Sequence, residues 1–167
     1  MKRAIVTGAN GFVGSAVCRH LVKNDVSVTA VVRSESSDID RLNGIEGLDI
    51  IYCAMENITE LAGMVSDSYD TFYHFAWEGT SGALRGDEAV QLANVRNTCE
   101  AVKTAKLLGR KKFIFASSIM KYEIEKLFNS GRTPNISTIY CTAKKTANYM
   151  AHAIAASLDL IYISGYF

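Results

Sequence analysis

The chain has 167 residues, 49% of them apolar and 21% charged, and a formal net charge of +1. That length supports one domain with a real core, and a charge so near zero gives no bias toward nucleic acid or an acidic membrane surface. No apolar run approaches the roughly 20 residues of a membrane span, residues 1–3 lead straight into a strand without an export signal, and the four cysteines and three histidines lack metal-ligand or CxxC spacing, so the expectation is a cytoplasmic protein with reduced thiols and no metal.

Ala4-Ile5-Val6 reads as a short strand feeding Thr7-Gly8-Ala9-Asn10-Gly11-Phe12-Val13-Gly14. Three glycines spaced three apart, between a strand and an amphipathic helix, suit a dinucleotide pyrophosphate. A glycine permits the tight turn, missing side chains let backbone approach phosphate, and the new helix aims free N–H groups at the anion. A glycine-rich turn in any α/β domain is the plain alternative. The helix spans 12–24, with Phe12, Val13, Ala16, Val17, Leu21 and Val22 near a 3.6 period. A nearly all-apolar strand over 26–32 completes one βαβ unit.

That strand runs into Arg33, with no acidic residue to bond the adenine ribose hydroxyls. A cation there lies where a 2′-phosphate would sit, and a charge-assisted hydrogen bond of about 1.5–3 kcal/mol amounts to roughly ten- to hundred-fold in affinity. NADP is therefore expected in preference to NAD, against the alternative of a solvated loop arginine.

Residues 34–47 read as a loop with a short helical turn, 48–53 as a strand, 58–65 as a brief helix and 71–76 as a strand. His74 has no carboxylate or cysteine beside it and reads as a hydrogen-bonded structural histidine. A glycine-bearing loop over 77–85 leaves at the sheet edge where ligands sit in such folds. The long helix 87–108 places Val90, Ala93, Asn94, Asn97, Ala101, Ala105 and Leu108 near one face, and two asparagines there are unusual for plain core. A strand over 111–116 ends in Ser117-Ser118. Residues 119–138, with the only proline, read as a loop over the active site with one helical turn. A helix over 140–158 has a small-residue face of Ala143, Ala147, Ala151 and Ala155, and 160–163 is a sixth strand. Strands alternating with helices predict an α/β protein built on a doubly wound parallel sheet of about six strands.

Tyr140 and Lys144 fall one helical turn apart on one face. An ammonium about 5 Å from a phenol, at an effective dielectric near 20, favours phenolate by about 3 kcal/mol, roughly two pKa units. Ser118, at the carboxyl edge of the sheet, is placed to share a proton with a substrate oxygen held by Tyr140. No G-x-S-x-G elbow or suitably placed histidine supports a hydrolase.

Taken in order, Thr7 to Gly14, His74-Phe75-Ala76, Asn94, Phe113 to Ser118 and Tyr140 to Lys144 resemble the extended short-chain dehydrogenase/reductase family. Within it they resemble the NAD(P)-dependent nucleotide-sugar epimerases, dehydratases and reductases, and glycines at 8, 11 and 14 match that branch. The resemblance implies a Rossmann-type NAD(P)-binding domain over 1–167. Gly8, Gly11 and Gly14 would form the turn, and Phe12 and Val13 would give N–H groups to the pyrophosphate. Phe75 and Ala76 would line the ribose and nicotinamide path, and Asn94 would hold cofactor or an ordered water. Lys144 would bond the nicotinamide ribose and tune Tyr140, the acid/base, while Ser118 orients substrate.

Ala54 and Met55 stand where the family commonly sets an aspartate near the adenine, Asn97 replaces a glycine, and Tyr122-Glu123 replaces Tyr-Gly. The family continues beyond the position of Phe167 with a loop over the nicotinamide and a smaller domain that grips the nucleotide-sugar. The expectation is therefore an incomplete copy of a longer protein that acts on a nucleotide-sugar and pairs as a homodimer through helices 87–108 and 140–158. A cofactor-binding module without turnover and a reductase of a non-sugar ketone are the alternatives.

Overall fold

A computed structural model describes residues 2–65, 68–109 and 111–166. Six strands form one sheet: β1 (Arg3–Thr7), β2 (Ser27–Val32), β3 (Leu48–Tyr52), β4 (Thr71–His74), β5 (Lys112–Ser117) and β6 (Ile161–Tyr166). Their order is β3-β2-β1-β4-β5-β6 and every pairing is parallel. The expected Rossmann-like architecture is the one that folds. The order reverses direction at β1, which lies between β2 and β4, so the crevice for a ligand opens beyond Thr7 and its register partner His74.

The helices are α1 (Phe12–Lys23), α2 (Leu61–Met64), α3 (Glu88–Leu107), α4 (Lys121–Asn129) and α5 (Ser137–Ser157). Alternation along the strands divides the core. Ile5, Phe72, Phe113 and Phe115 pack with α3 and α5 on one face, while Val6, Val28, Ala30 and Val32 pack with Cys18 of α1 on the other. Phe72 and Phe113 stack at 5.4 Å across β4 and β5. Among the described residues, no helix is long and apolar enough to cross a membrane.

Several local expectations change. Within 119–138, read as a loop with one turn, α4 takes nine residues. Charged neighbours mask a pair three apart, Ile124 and Leu127, of which Ile124 is buried. The helix expected over 58–65 begins earlier, as a 3-10 turn over Met55–Glu60, and only Leu61–Met64 is α-helical. The strand expected over 71–76 ends at His74, which frees Phe75 and Ala76 to line the crevice. The alanine stripe of α5 is consumed inside the chain: Ala147, Ala151 and Ala155 are fully buried in the core they share with Ala101, Val102 and Ala105 of α3. Any contact of α5 with a second copy must therefore use its other faces.

Candidate active site

The glycine turn is built by close approach of backbones. Gly8 follows β1 with φ +65°, and a Cβ there would lie 2.6 Å from the Ala76 nitrogen. A Cβ at Gly14 would lie 2.2 Å from the Gly8 carbonyl oxygen, and one at Gly11 3.1 Å from it. No side chain caps the start of α1, so its first-turn N–H groups, those of Phe12 and Val13 among them, are free to meet an anion. The Phe12 side chain is 83% exposed and takes no part in the core. A cradle of bare amides that any Cβ would fill suits a dinucleotide pyrophosphate.

Above the turn lies a cavity of about 470 Å³ at the carboxyl edge of the sheet. Gly8, Gly11, Arg33, Met55, Phe75, Ala76 and Asn94, singled out in the sequence, line it together with Glu56, Trp77 and Glu78. Ala54 is half-buried just before the Met55–Glu60 turn and is not among the lining residues.

Two side chains of α3 shape the cavity wall. Asn94 donates from Nδ2 to the Glu78 carbonyl at 2.8 Å and accepts the Glu78 N–H at Oδ1 at 3.0 Å. Gln91, one turn earlier, accepts the Trp77 indole N–H at 2.9 Å and donates to the carbonyls of Gly79 and Leu84 at 3.1 and 2.9 Å. Gly79 is needed here, because a Cβ would meet the Leu84 oxygen at 2.5 Å. Asn94 thus spends its amide on the loop after β4 and reaches a ligand only as part of that wall. Arg33 pairs with Glu78 across the cavity mouth at 3.2 Å, with the two side chains 61% and 45% exposed.

His74 is the hydrogen-bonded structural histidine that the sequence suggests. The Thr98 hydroxyl donates to the Asn94 carbonyl at 2.8 Å, so it accepts from His74 Nε2 at 3.2 Å. His74 Nδ1 then accepts from the Thr7 hydroxyl at 2.8 Å. Burial lowers the imidazole to about 3, with the Lys144 charge as a smaller cause, so the ring stays neutral and ties the glycine turn to α3.

Tyr140 and Lys144 share α5, which Lys144 ties to the end of β5, the strand that Ser118 follows. Lys144 is 4% exposed. It donates to the Ala116 carbonyl at 2.9 Å, and its ammonium lies 3.7 Å from the centre of the Trp77 ring. Burial pulls its pKa down to about 7, while the carbonyl and the ring face favour the charged form. Tyr140, 7% exposed, meets the edge of Trp77 at 6.2 Å and carries the Arg85 guanidinium 3.8 Å over its own ring. Ser118 Oγ accepts the Met120 N–H at 3.3 Å, and the buried Ser117 hydroxyl has no partner among the described residues. Ser118, Tyr140 and Lys144 are not among the residues lining the 470 Å³ cavity. The indole of Trp77, which lines that cavity and touches both Tyr140 and Lys144, stands between.

Trp77, Glu78 and Arg85 lie in the loop over 77–85 that the sequence places at the ligand edge, but neither they nor Gln91 were singled out as candidate site residues. A glutamine one turn before Asn94 on the same helix face was the available signal, as was the lone tryptophan in the loop after β4.

A model of the NAD dependent epimerase/dehydratase family matches residues 4–166. An uncharacterised chloroplastic protein of Arabidopsis thaliana is 30% identical over 118 residues, which are 68% of this chain and 36% of that protein. The 2-alkyl-3-oxoalkanoate reductase of Shewanella oneidensis is 25% identical over 158 residues, 93% of this chain and 37% of that protein. Among solved structures, a UDP-galactose 4-epimerase superposes with a TM-score of 0.79 at 22% identity, over 97% of this chain and 54% of that one. The chain therefore spans little more than a third of these curated relatives and about half of the solved neighbour.

Proposed function

The chain belongs to the NAD dependent epimerase/dehydratase family, and from that premise we propose that it carries the cofactor half of an NAD(P)-dependent epimerase, dehydratase or ketoreductase acting on a nucleotide-activated sugar. The observation that carries this reading is the bare-amide turn opening into a 470 Å³ cavity that ends at Trp77, with Tyr140 and Lys144 on the far side of the same indole. The glycine turn and the start of α1 would hold the pyrophosphate, Met55 would lie beside the adenine, and Phe75 and Ala76 would flank the path to the nicotinamide. When bound, the cofactor supplies hydride acceptance and return.

The chain supplies position and protonation. Ser118 orients the substrate oxygen, Tyr140 Oη takes or gives its proton, and Lys144 places positive charge one helical turn away. For cofactor and substrate to meet there, Trp77 must swing off Lys144, whose ammonium then turns to the nicotinamide ribose. NADP is the form Arg33 favours. Its contact with Glu78 is exposed and worth at most about 1 kcal/mol, little enough for a 2′-phosphate to displace.

The same reading includes a homodimer through α3 and α5. Between them lies an apolar groove of about 330 Å³ lined by Leu92, Val95, Ile139 and Thr142, with Leu92 66% exposed.

A second reading, a cofactor-binding module without turnover, draws on the cover that Trp77 and Arg85 place over Tyr140. Hydride transfer followed across a panel of nucleotide-sugars and simple ketones, with Tyr140→Phe as control, separates the two. The enzyme reading expects a loss of about 10²–10⁴-fold in the variant. Cofactor binding without Tyr140-dependent turnover would leave only the module.

A further inference from the structure

Arg85 sits in a 3-10 turn over Ala83–Gly86, and both of its neighbours are fixed. The Leu84 carbonyl is held by Gln91 at 2.9 Å, and a Cβ on Gly86 would lie 2.2 Å from Ile136 Cγ1, so the turn is pressed against the start of α5. That packing delivers the guanidinium to the face of Tyr140, 3.8 Å from the ring centre. Its hydrogen bond goes to the Thr80 carbonyl at 2.6 Å. Arg33, Lys103 and Lys145 each have a carboxylate, whereas among the described residues neither Arg85 nor Lys144 has one. Arg85 therefore stands over Tyr140 as a cation without a carboxylate partner, with Lys144 on the Trp77 side of the Tyr140–Trp77 pair.

An arginine fork takes a carboxylate in two parallel hydrogen bonds at about 2.8 Å. Resting on the reading of Tyr140 as the group that meets the substrate oxygen, we propose that Arg85 binds a substrate carboxylate borne by the carbon next to the one carrying the reacting oxygen. With the guanidinium 3.8 Å over the ring centre, a carboxylate on its fork and an oxygen at the phenol hydroxyl can belong to one short unit, and a 3-oxo acid or its 3-hydroxy form has such a spacing. A uronyl sugar that reacts at C4 has that arrangement in a ring, with its C6 carboxylate on C5; an open-chain 3-oxo acid has it in a line.

The only tryptophan in the chain, Trp77, touches Tyr140 and reports binding through its own fluorescence. The full chain with saturating cofactor is titrated with acetoacetate and its uncharged ethyl ester, and with UDP-glucuronate and UDP-glucose. At least one acid should bind about tenfold or more tighter than its neutral counterpart. Arg85→Gln should erase that preference, and Arg85→Lys should keep part of it, with thermal melts showing that both variants remain folded. A preference confined to UDP-glucuronate assigns the uronyl form, and one confined to acetoacetate assigns the open-chain acid. Equal binding of acid and neutral partner, no response to either acid, a preference that survives Arg85→Gln, or inorganic phosphate competing as well as the acids would overturn the proposal. Because binding is read, the outcome stands apart from the turnover test with Tyr140→Phe, which decides the underlying reading.

Discussion

Lys144 is a buried cation whose folded and unfolded states differ in proton affinity. The folded chain releases this proton near pH 7 and an unfolded lysine near 10.4. Between those values the unfolded state binds more protons, so the lysine's contribution to stability rises with pH from about 7 upward. Denaturant unfolding of the cofactor-free protein from pH 7 to 8.5 should show wild type gaining on Lys144→Met by up to about 1.4 kcal/mol per pH unit. A difference that is flat with pH would mean that the ring of Trp77 and the Ala116 carbonyl fully offset burial. Arg33 and Glu78 make an opposite pair of tests on cofactor choice. Arg33→Ala should weaken NADP by about ten- to hundred-fold and leave NAD unchanged, whereas Glu78→Gln should strengthen NADP by removing a competing carboxylate 3.2 Å away. Calorimetric titration reads both, and NAD binding as tightly as NADP in wild type would remove the role assigned to Arg33.

At the level of elements, the loop after β4 is held by α3 through Gln91 and Asn94 and by α5 through Gly86. Gln91 is fully buried and serves one donor and several carbonyls at once. Gln91→Ala strands those groups, and a destabilisation of about 2–3 kcal/mol is expected. Freeing the indole should also shift Trp77 emission toward that of a solvated tryptophan, an effect absent if Gln91 merely fills space. The elements themselves were largely legible, since β-branched runs and 3.6-period faces place most boundaries within a few residues. α4 was not, because Ile124 and Leu127 are a short apolar signal among charges.

Across the whole molecule, the sheet order puts the glycine turn, the loop after β4 and the start of α5 at one edge. The proposed homodimer would pair through the groove between α3 and α5. Leu92→Glu should shift a dimer to monomer in sedimentation while the separated chain stays folded, since the side chain is exposed on the single chain; a species of unchanged size would refute pairing there.

The sequence by itself determined the α/β class, the parallel doubly wound sheet and the glycine turn that leads into α1. Each follows from local patterns: period, β-branched runs, glycine spacing and a strand running into a helix. It also proposed Ser118, Tyr140 and Lys144 for one site, through spacing within a helix and position at a strand end. Only the tertiary structure decided what surrounds them. Trp77 lies 63 positions before Tyr140 in the chain, yet its ring touches Tyr140 and Lys144. Arg85 reaches Tyr140 only because Gln91 and Ile136 pin the turn that carries it. Contacts of that kind depend on how α3 and α5 pack on the sheet, and no local pattern encodes which side chain a loop will set on a ring from another element.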